Sequence, residues 1–287
     1  MPGLQVLDAV QSGTVEMGHT ASYYYFGKDP AFTFGTALPF GLNTRQQEAW
    51  QFHGGGMELH NDFFKTYNCW GMPTGNTTCQ MGGWFRREIK SLDDMKGLKF
   101  RVGGFAGRIL GKLGVVPQQL AAGDIFPSLE KGTIDAAEWV GPYDDEKLGF
   151  VKVAKYYYYP GWWEGGAHAH LLVNREKWTG LSKTYQAVLT NAARDAGMRM
   201  TAKYDFLNPT AMRRLLANGT QLRAFSPEIM EASYKAAKET YVELGAANPR
   251  FKKIHDNLVA FRNESYSWWQ VCDLTFDAFQ VKMLGRA

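Results

Sequence analysis

Apolar and polar positions follow two different periods along the first two thirds of the chain. Spacings of three and four residues predict helices, and short apolar runs bounded by glycine or proline predict strands. The predicted helices cover residues 4–12, 44–53, 57–67, 105–113 and 124–131. The predicted strands lie within residues 14–26, 68–84, 98–102, 115–120, 133–140 and 167–174. Helices that alternate with strands indicate an α/β fold with a mainly parallel sheet.

The last hundred residues have a mostly helical pattern. Long helices are predicted at 182–216, 227–246 and 250–283, with one strand near 221–225. The last helix carries large apolar side chains that need a partner surface, either the rest of the chain or another subunit. These side chains are Ile254, Leu258, Phe261, Tyr266, Trp268, Trp269, Leu274, Phe276 and Phe279.

One helix-to-strand pattern occurs twice. Residues 7–19 and 128–138 each contain a helix, then Gly-Thr, a β-branched residue, an acidic residue and a strand of small residues. The repeat predicts two similar lobes that face each other across a cleft. Glu138 ends the second copy, where ligands of open α/β sheets bind. A buried carboxylate needs a counter-charge, so Glu138 is either a ligand-site residue or half of a structural ion pair.

Composition and charge narrow the class of protein. The chain has 287 residues, 45% of them hydrophobic and 21% charged, which is enough for one large or two medium folded domains. The net charge is +4 with scattered basic residues, so no nucleic-acid partner is expected. No apolar run approaches the roughly 20 residues of a membrane helix. The chain starts within a helical pattern, so we expect an opening strand and helix to be missing.

The three cysteines allow two interpretations. Cys69 and Cys79 form a disulfide if they lie on adjacent strands, which leaves Cys272 free, or all three are buried thiols. His168 and His170 share one strand face, but as metal ligands they would need further partners.

The most aromatic segment, residues 156–166, also contains a carboxylate. Glu164 follows Trp162 and Trp163 directly and precedes two glycines. Because an ionised carboxylate among aromatic rings needs a partner, Glu164 is a second candidate site residue.

Several motifs together resemble the solute-binding proteins of TRAP (tripartite ATP-independent periplasmic) transporters. They are GLKFRV at 97–102, LEKGTIDAAEW at 129–139 and the late long helices. The branch that binds 2-oxo acids such as pyruvate is indicated by three more motifs. These are TVEMGHTASYYY at 14–25, EWVGPYDDEKLG at 138–149 and YPGWWEGG at 159–166.

The resemblance implies a two-lobed α/β periplasmic binding protein, a type II-like flytrap with long C-terminal helices. Lobe I would comprise 1–98 with about 171–215, and lobe II about 99–170 with about 216–250. Residues 251–287 would form a C-terminal helix with a role in dimerisation. The implied function is capture of a small 2-oxo or 2-hydroxy monocarboxylate together with a metal cation. Uptake would then proceed through TRAP membrane permease subunits, with no enzymatic step.

The resemblance also assigns site residues. Arg101 takes the substrate carboxylate, for which the planar guanidinium fork is suited. A cation, sodium or calcium, is held by the Glu138 side chain, the main-chain oxygen of Trp139, Glu164 and Gln80. All of these are oxygen donors, as hard cations require. Gln80 either ligates the cation or contacts the substrate directly.

Further substrate contacts are assigned to Tyr24, Asn76 and Trp163, with the aromatic residues limiting the size of the substrate tail. Related proteins exchange the last helix between subunits, which implies a homodimer with Trp268, Trp269 and Phe276 in the interface.

Two other functions fit the same residues. In the first, Glu138 and Glu164 form the acid/base pair of a metal-dependent hydrolase or lyase acting on small oxo acids. In the second, the chain is a ligand-sensing module that signals through its late helix.

Overall fold

Two separate β-sheets and eleven α-helices organise residues 1–285, the part of the chain that the computed structural model describes. The helices are α1 (Val6–Gln11), α2 (Thr44–His53), α3 (Gly56–Phe64), α4 (Ala106–Lys112), α5 (Ala122–Lys131), α6 (Pro142–Leu148), α7 (Arg175–Gly180), α8 (Lys183–Ala217), α9 (Pro227–Ala247), α10 (Pro249–Trp269) and α11 (Asp273–Leu284). The strands are β1 (Met17–Thr20), β2 (Cys69–Asn76), β3 (Gly83–Phe85), β4 (Lys99–Arg101), β5 (Val116–Gln118), β6 (Ala136–Ala137), β7 (Tyr156–Tyr159), β8 (His168–Asn174) and β9 (Gln221–Ala224).

The first sheet has the strand order β1-β8-β2, and both of its pairings are antiparallel. The second has the order β5-β4-β6-β3-β7-β9. Its pairings are parallel at β4–β5, β4–β6 and β7–β9 and antiparallel where β3 meets β6 and β7. The prediction of a mainly parallel sheet therefore fits the second sheet, with three parallel pairings of five, and is wrong for the first. β8, from the middle of the chain, lies between β1 and β2 in the first sheet and runs antiparallel to both.

Each sheet anchors one lobe, which confirms the predicted two-lobed α/β fold. The repeated sequence pattern supplies one unit to each sheet, with α1 leading to β1 and α5 leading to β6. The 35-residue helix α8 packs against β2 in one lobe and against α6 in the other. The predicted lobe boundaries stay a prediction; β3, which precedes residue 98, pairs within the second sheet.

Local signals place most helix ends where the sequence predicted them. Asn43 caps the start of α2 with a reciprocal capping box. Its side-chain oxygen accepts a hydrogen bond from the main-chain amide of Gln46, and the side-chain oxygen of Gln46 accepts one from the main-chain amide of Asn43. Gly132 ends α5 in the left-handed region, with φ of +71°. Two predictions need correction. The strand within 14–26 stops at Thr20 and a 3₁₀ helix follows over Ser22–Tyr25. The helix at 250–283 is divided into α10 and α11.

All three cysteines are free thiols, and only Cys69 is buried. Both interpretations of the cysteines were therefore wrong: there is no Cys69–Cys79 disulfide, and Cys79 and Cys272 are exposed. None of the helices within residues 1–285 is long and apolar enough to cross a membrane.

Candidate functional site

Strand ends and loops of the second sheet carry the predicted arginine and the predicted cation ligands. Arg101 is the last residue of β4, and Glu138 directly follows β6, which lies beside β4. The Glu138 amide donates to the Arg101 carbonyl at 3.1 Å, and the Gln80 amide donates to the Glu164 carbonyl at 3.0 Å. Gly83 permits the close approach of β3 to β6 just before Glu138, because a Cβ there would lie 2.7 Å from the Ala137 carbonyl oxygen.

Arg101 and Glu138 form a buried ion pair. Nη1 of Arg101 donates to Oε1 and to the main-chain oxygen of Glu138, both at 2.6 Å. The Gly103 amide donates to the same Oε1 at 2.6 Å, and Nε of Arg101 donates to the Leu120 carbonyl at 3.3 Å. Arg101 is 2% exposed and Glu138 is 0% exposed. The guanidinium also lies 5.1 Å from the centre of the Trp139 ring. Of the two interpretations of Glu138, the ion pair is thus present, and it occupies only one carboxylate oxygen.

Three buried acceptor oxygens near this pair have no hydrogen-bond partner within residues 1–285. They are Oε2 of Glu138, Oε2 of Glu164 and Oε1 of Gln80. An unsatisfied buried acceptor is costly, and three of them in neighbouring segments indicate a missing positive partner. Oxygen ligands of this kind fit a hard cation such as sodium or calcium.

The charges at the site are unbalanced, since one guanidinium serves two carboxylates. Burial raises the pKa of Glu138, and the nearby Arg101 charge opposes the rise. Burial, and then the charge of Glu138, raise the pKa of Glu164 well above its usual value. In the described part of the chain, no three His, Cys, Asp or Glu residues group as a metal site. A cation here would therefore need amide or main-chain oxygens besides the two carboxylates, as predicted from Gln80 and Trp139.

A cavity of about 80 Å³ lies beside these groups. Its volume equals that of only a few water molecules, so its ligand has few non-hydrogen atoms. Its walls come from β8 and the segments that follow β1 and β2 of the first sheet, and from the residues before β3 and after β6 of the second sheet. The lining residues are Ala21, Tyr23, Tyr24, Thr36, Thr77, Gln80, Trp139, Val140, Ala167, His168 and Ala169.

A much larger groove of about 910 Å³ lies elsewhere, between α2, β2 and α8. Its lining residues are Thr44, Arg45, Glu48, Phe52, His53, Pro73, Gly75, Arg194, Gly197, Met198, Thr201, Ala202 and Asp205. None of the predicted ligand residues lines this groove. The small cavity, which Tyr24, Gln80 and Trp139 line, is therefore the candidate ligand site.

The remaining predicted contacts differ in their position. Tyr24 is half-buried and lines the cavity. Trp163 is buried behind the wall, where its ring packs on Trp162 and Phe100. Both polar atoms of the Asn76 side chain bond to protein groups, such as Oε1 of Gln47 at 3.0 Å and the Thr78 amide at 2.8 Å. The ligand contacts of Trp163 and Asn76 therefore stay predictions.

Tyr23, Thr77 and His168 line the cavity but were not predicted as substrate contacts. Tyr23 is buried and stacks on Tyr24, with ring centres 5.0 Å apart. A hydrogen bond between the side chains of Tyr23 and Glu164 lowers the pKa of Glu164 and so acts against the effect of burial. The aromatic run at 23–25 was the available signal, but it did not separate Tyr23 from its neighbours. His168, considered above only as a metal ligand, bonds Oε1 of Glu48 through Nε2 at 2.9 Å.

The fold and the site together define a two-lobed ligand-binding protein with a small cavity beside a buried arginine and unpaired carboxylate oxygens. Comparison with known proteins gives the family. The model of the DctP family, described as bacterial extracellular solute-binding protein, family 7, matches residues 1–248. This chain belongs to that family, which confirms the predicted resemblance. The monocarboxylate 2-oxoacid-binding periplasmic protein of Nostoc sp. is 49% identical over 279 residues, which cover 97% of this chain and 77% of the Nostoc protein.

Solved structures agree with this assignment. A TRAP transporter solute-binding protein from Bordetella bronchiseptica superposes with a TM-score of 0.98 at 48% identity, covering 100% of this chain and 85% of the other. It is a dimer of mixed occupancy, with calcium and picolinate in one active site and the other site apo. A TRAP periplasmic solute-binding protein from Pseudoalteromonas atlantica, with bound sodium and pyruvate, has a TM-score of 0.92 at 37% identity. That match covers 95% of this chain and 83% of the other.

Proposed function

We propose that this chain is the periplasmic solute-binding protein of a TRAP transporter. It captures a small 2-oxo or 2-hydroxy monocarboxylate, such as pyruvate, together with sodium or calcium, and it passes the ligand to membrane permease subunits unchanged. The observation that carries the proposal is the set of three unpartnered buried oxygens beside Arg101 and a cavity of about 80 Å³. The sodium and pyruvate of the Pseudoalteromonas protein support the ligand class.

Each part of such a ligand meets a complementary group. The hydrogen bonds in the described chain use Nε and Nη1 of Arg101, so we assign Nη2 to the substrate carboxylate. Glu138, Glu164, Gln80 and the Trp139 carbonyl would hold the cation, which would supply positive charge to both the substrate and the carboxylates. Without that positive charge, Glu138 and Glu164 would repel an anionic ligand. Exclusion of water between the lobes strengthens each of these contacts.

The limited volume sets the size of the ligand. Tyr23, Tyr24 and Trp139 form aromatic walls, and small side chains such as Ala167 and Ala169 complete the cavity. A three-carbon acid with one carboxylate suits this space, whereas the cavities that hold drug-sized ligands are several times larger.

A homodimer is also part of the proposal. The helix α11 buries none of its side chains, and several large apolar residues are exposed. Asp273, its first residue, accepts a hydrogen bond at 2.7 Å from Arg45, which lines the large groove. We infer that the exposed side chains of Trp268 and Phe276, with the half-buried Trp269, contact a second copy of the chain. The dimer of the Bordetella protein supports this inference.

Isothermal titration with pyruvate tests the ligand and the cation together. The protein is dialysed against chelator in a buffer free of sodium, and then sodium or calcium is added back separately. We expect heat only when one cation is present, and strong binding without any added cation would contradict the proposal. Glu138→Gln should weaken the cation dependence, whereas Glu130→Gln, an exposed residue on α5, should titrate like wild type.

A second measurement separates binding from catalysis. Pyruvate incubated with the cation-loaded protein is followed by proton NMR. We expect the ligand to remain unchanged after prolonged incubation. Conversion to a new product that Glu138→Gln abolishes would support the hydrolase or lyase instead.

A further inference from the structure

His168 joins the small cavity to a glutamate in the large groove. The imidazole is 1% exposed and forms part of the cavity wall. Its Nε2 lies 2.9 Å from Oε1 of Glu48, a half-buried residue that lines the groove. Its Nδ1 is buried and has no hydrogen-bond partner anywhere in residues 1–285. A buried ring nitrogen without a partner is costly, so a group that is absent from the protein itself should meet it.

Two other buried histidines lie near this one, but they do not line the cavity. His60 and His170 also have an unpartnered ring nitrogen. Their ring centres lie 5.9 Å apart, and the ring of His170 lies 6.4 Å from that of His168. Neither contributes to the cavity wall, so His168 is the member of this cluster that can contact the ligand.

Glu48 determines which hydrogen-bonding role is open to Nδ1. An ionised carboxylate only accepts hydrogen bonds, so Nε2 must carry the proton that it donates to Glu48. In a neutral imidazole the other nitrogen, Nδ1, is then a lone-pair acceptor. His168, on β8, can therefore offer an acceptor to a ligand in the cavity that it lines.

We propose that His168 is a specificity-determining residue whose Nδ1 accepts a hydrogen bond from the 2-hydroxyl group of a 2-hydroxy acid, and that Glu48 is the positioning residue that fixes its tautomer. This inference rests on the proposed function. A 2-hydroxyl group has an O–H that donates a hydrogen bond, and Nδ1 accepts that bond. A 2-oxo oxygen has no proton, and its lone pairs face the lone pair of Nδ1. His168 thus raises the affinity for 2-hydroxy acids relative to 2-oxo acids.

The test is the ratio of the affinities for lactate and pyruvate, which differ only at this position. Both are titrated calorimetrically into the full chain with the same saturating cation. His168→Leu should lower the affinity for lactate relative to pyruvate by about fivefold, which corresponds to one hydrogen bond of about 1 kcal/mol. His168→Asn places an amide near the position of Nδ1, so it should retain most of the wild-type ratio.

Glu48→Gln tests the positioning role at a half-buried site. The amide no longer fixes one tautomer, so the ratio should fall between wild type and His168→Leu. Glu58→Gln, an exposed residue on α3, serves as the control and should keep the wild-type ratio. Should His168→Leu fail to fold, the ratio in Glu48→Gln still decides the question.

The outcomes are distinct. If His168 had a merely structural role, its replacement would weaken the binding of lactate and of pyruvate equally. An unchanged affinity ratio in His168→Leu and Glu48→Gln therefore overturns the inference, while the proposed function stands. A wild-type protein that binds neither acid with any cation overturns both. A ratio that falls in His168→Leu and Glu48→Gln but not in Glu58→Gln supports the inference.

Discussion

The buried Arg101–Glu138 pair makes a stability prediction that is separate from binding. Arg101→Met removes the positive charge of the guanidinium group. The carboxylate of Glu138, which is 0% exposed, is then left without its counter-charge. Two hydrogen bonds of 2.6 Å from Nη1 are lost as well. Removal of one partner from a buried ion pair costs about 3–5 kcal/mol. For a chain of this size, about 4 kcal/mol lowers the melting temperature by roughly 10 °C.

The double variant Arg101→Met with Glu138→Leu should recover most of this loss. Two apolar side chains of similar volume replace the pair and leave no buried charge behind. Neither variant should bind pyruvate, because both lack the carboxylate anchor and the double variant also lacks a cation ligand. Thermal unfolding without ligand, followed by circular dichroism, measures the first effect and calorimetry measures the second. The reasoning is refuted if Arg101→Met melts like wild type, or if the double variant is as unstable as the single one.

Three further predictions concern other parts of the molecule. Burial lowers the pKa of His60 from 6.5 to about 3, so stability is lost as pH falls from 6.5 towards 3. The loss in the free energy of unfolding is about 2 kcal/mol at pH 5. Denaturant titrations over this pH range should show that the stability of His60→Gln depends less steeply on pH than that of wild type. An equally steep dependence would be contrary evidence. A Cβ at Gly104, where φ is +58°, would lie 2.3 Å from the Tyr23 ring, so Gly104→Ala should weaken pyruvate binding about tenfold in calorimetry. Gly97→Ala, with similar φ but open space, should bind normally. Phe279→Asp should shift the dimer towards the monomer, as measured by sedimentation velocity. An unchanged sedimenting mass would show that α11 is not part of the dimer interface.

Helices were easier to predict from the sequence than sheet pairings. Asn43 and Gly132 act on the backbone within three or four residues, so their capping signals are visible locally. Strand pairing depends on partners far away in the chain. β8 lies between β1 and β2, and its residue His170 pairs with both Thr20 and Pro73. No local pattern encodes that register, which is why the antiparallel first sheet was missed.

The site residues were predictable where their chemistry conflicted with their surroundings. Glu138 and Glu164 are carboxylates within apolar or aromatic segments, and each proved to be buried with an unpartnered oxygen. Tyr23 and Tyr24 are adjacent in a 3₁₀ helix, so no two-residue or 3.6-residue period could distinguish the more buried one. His168 gains its place in the cavity only through the pairing of β8, and its link to Glu48 spans 120 residues.

The unbalanced charges also make a prediction about the cation. With all groups ionised, Arg101, Glu138 and Glu164 carry a net charge of minus one, and a bound monocarboxylate makes it minus two. A divalent ion neutralises the closed site, whereas sodium leaves a net negative charge where water is excluded. We therefore expect calcium to support pyruvate binding at lower concentration than sodium. Glu164→Gln removes one negative charge and should reduce the preference for calcium over sodium by at least about tenfold. Glu130→Gln is the exposed control. Calorimetry of each cation in the presence of pyruvate gives both constants, and an unchanged preference in Glu164→Gln would show that charge balance does not select the cation.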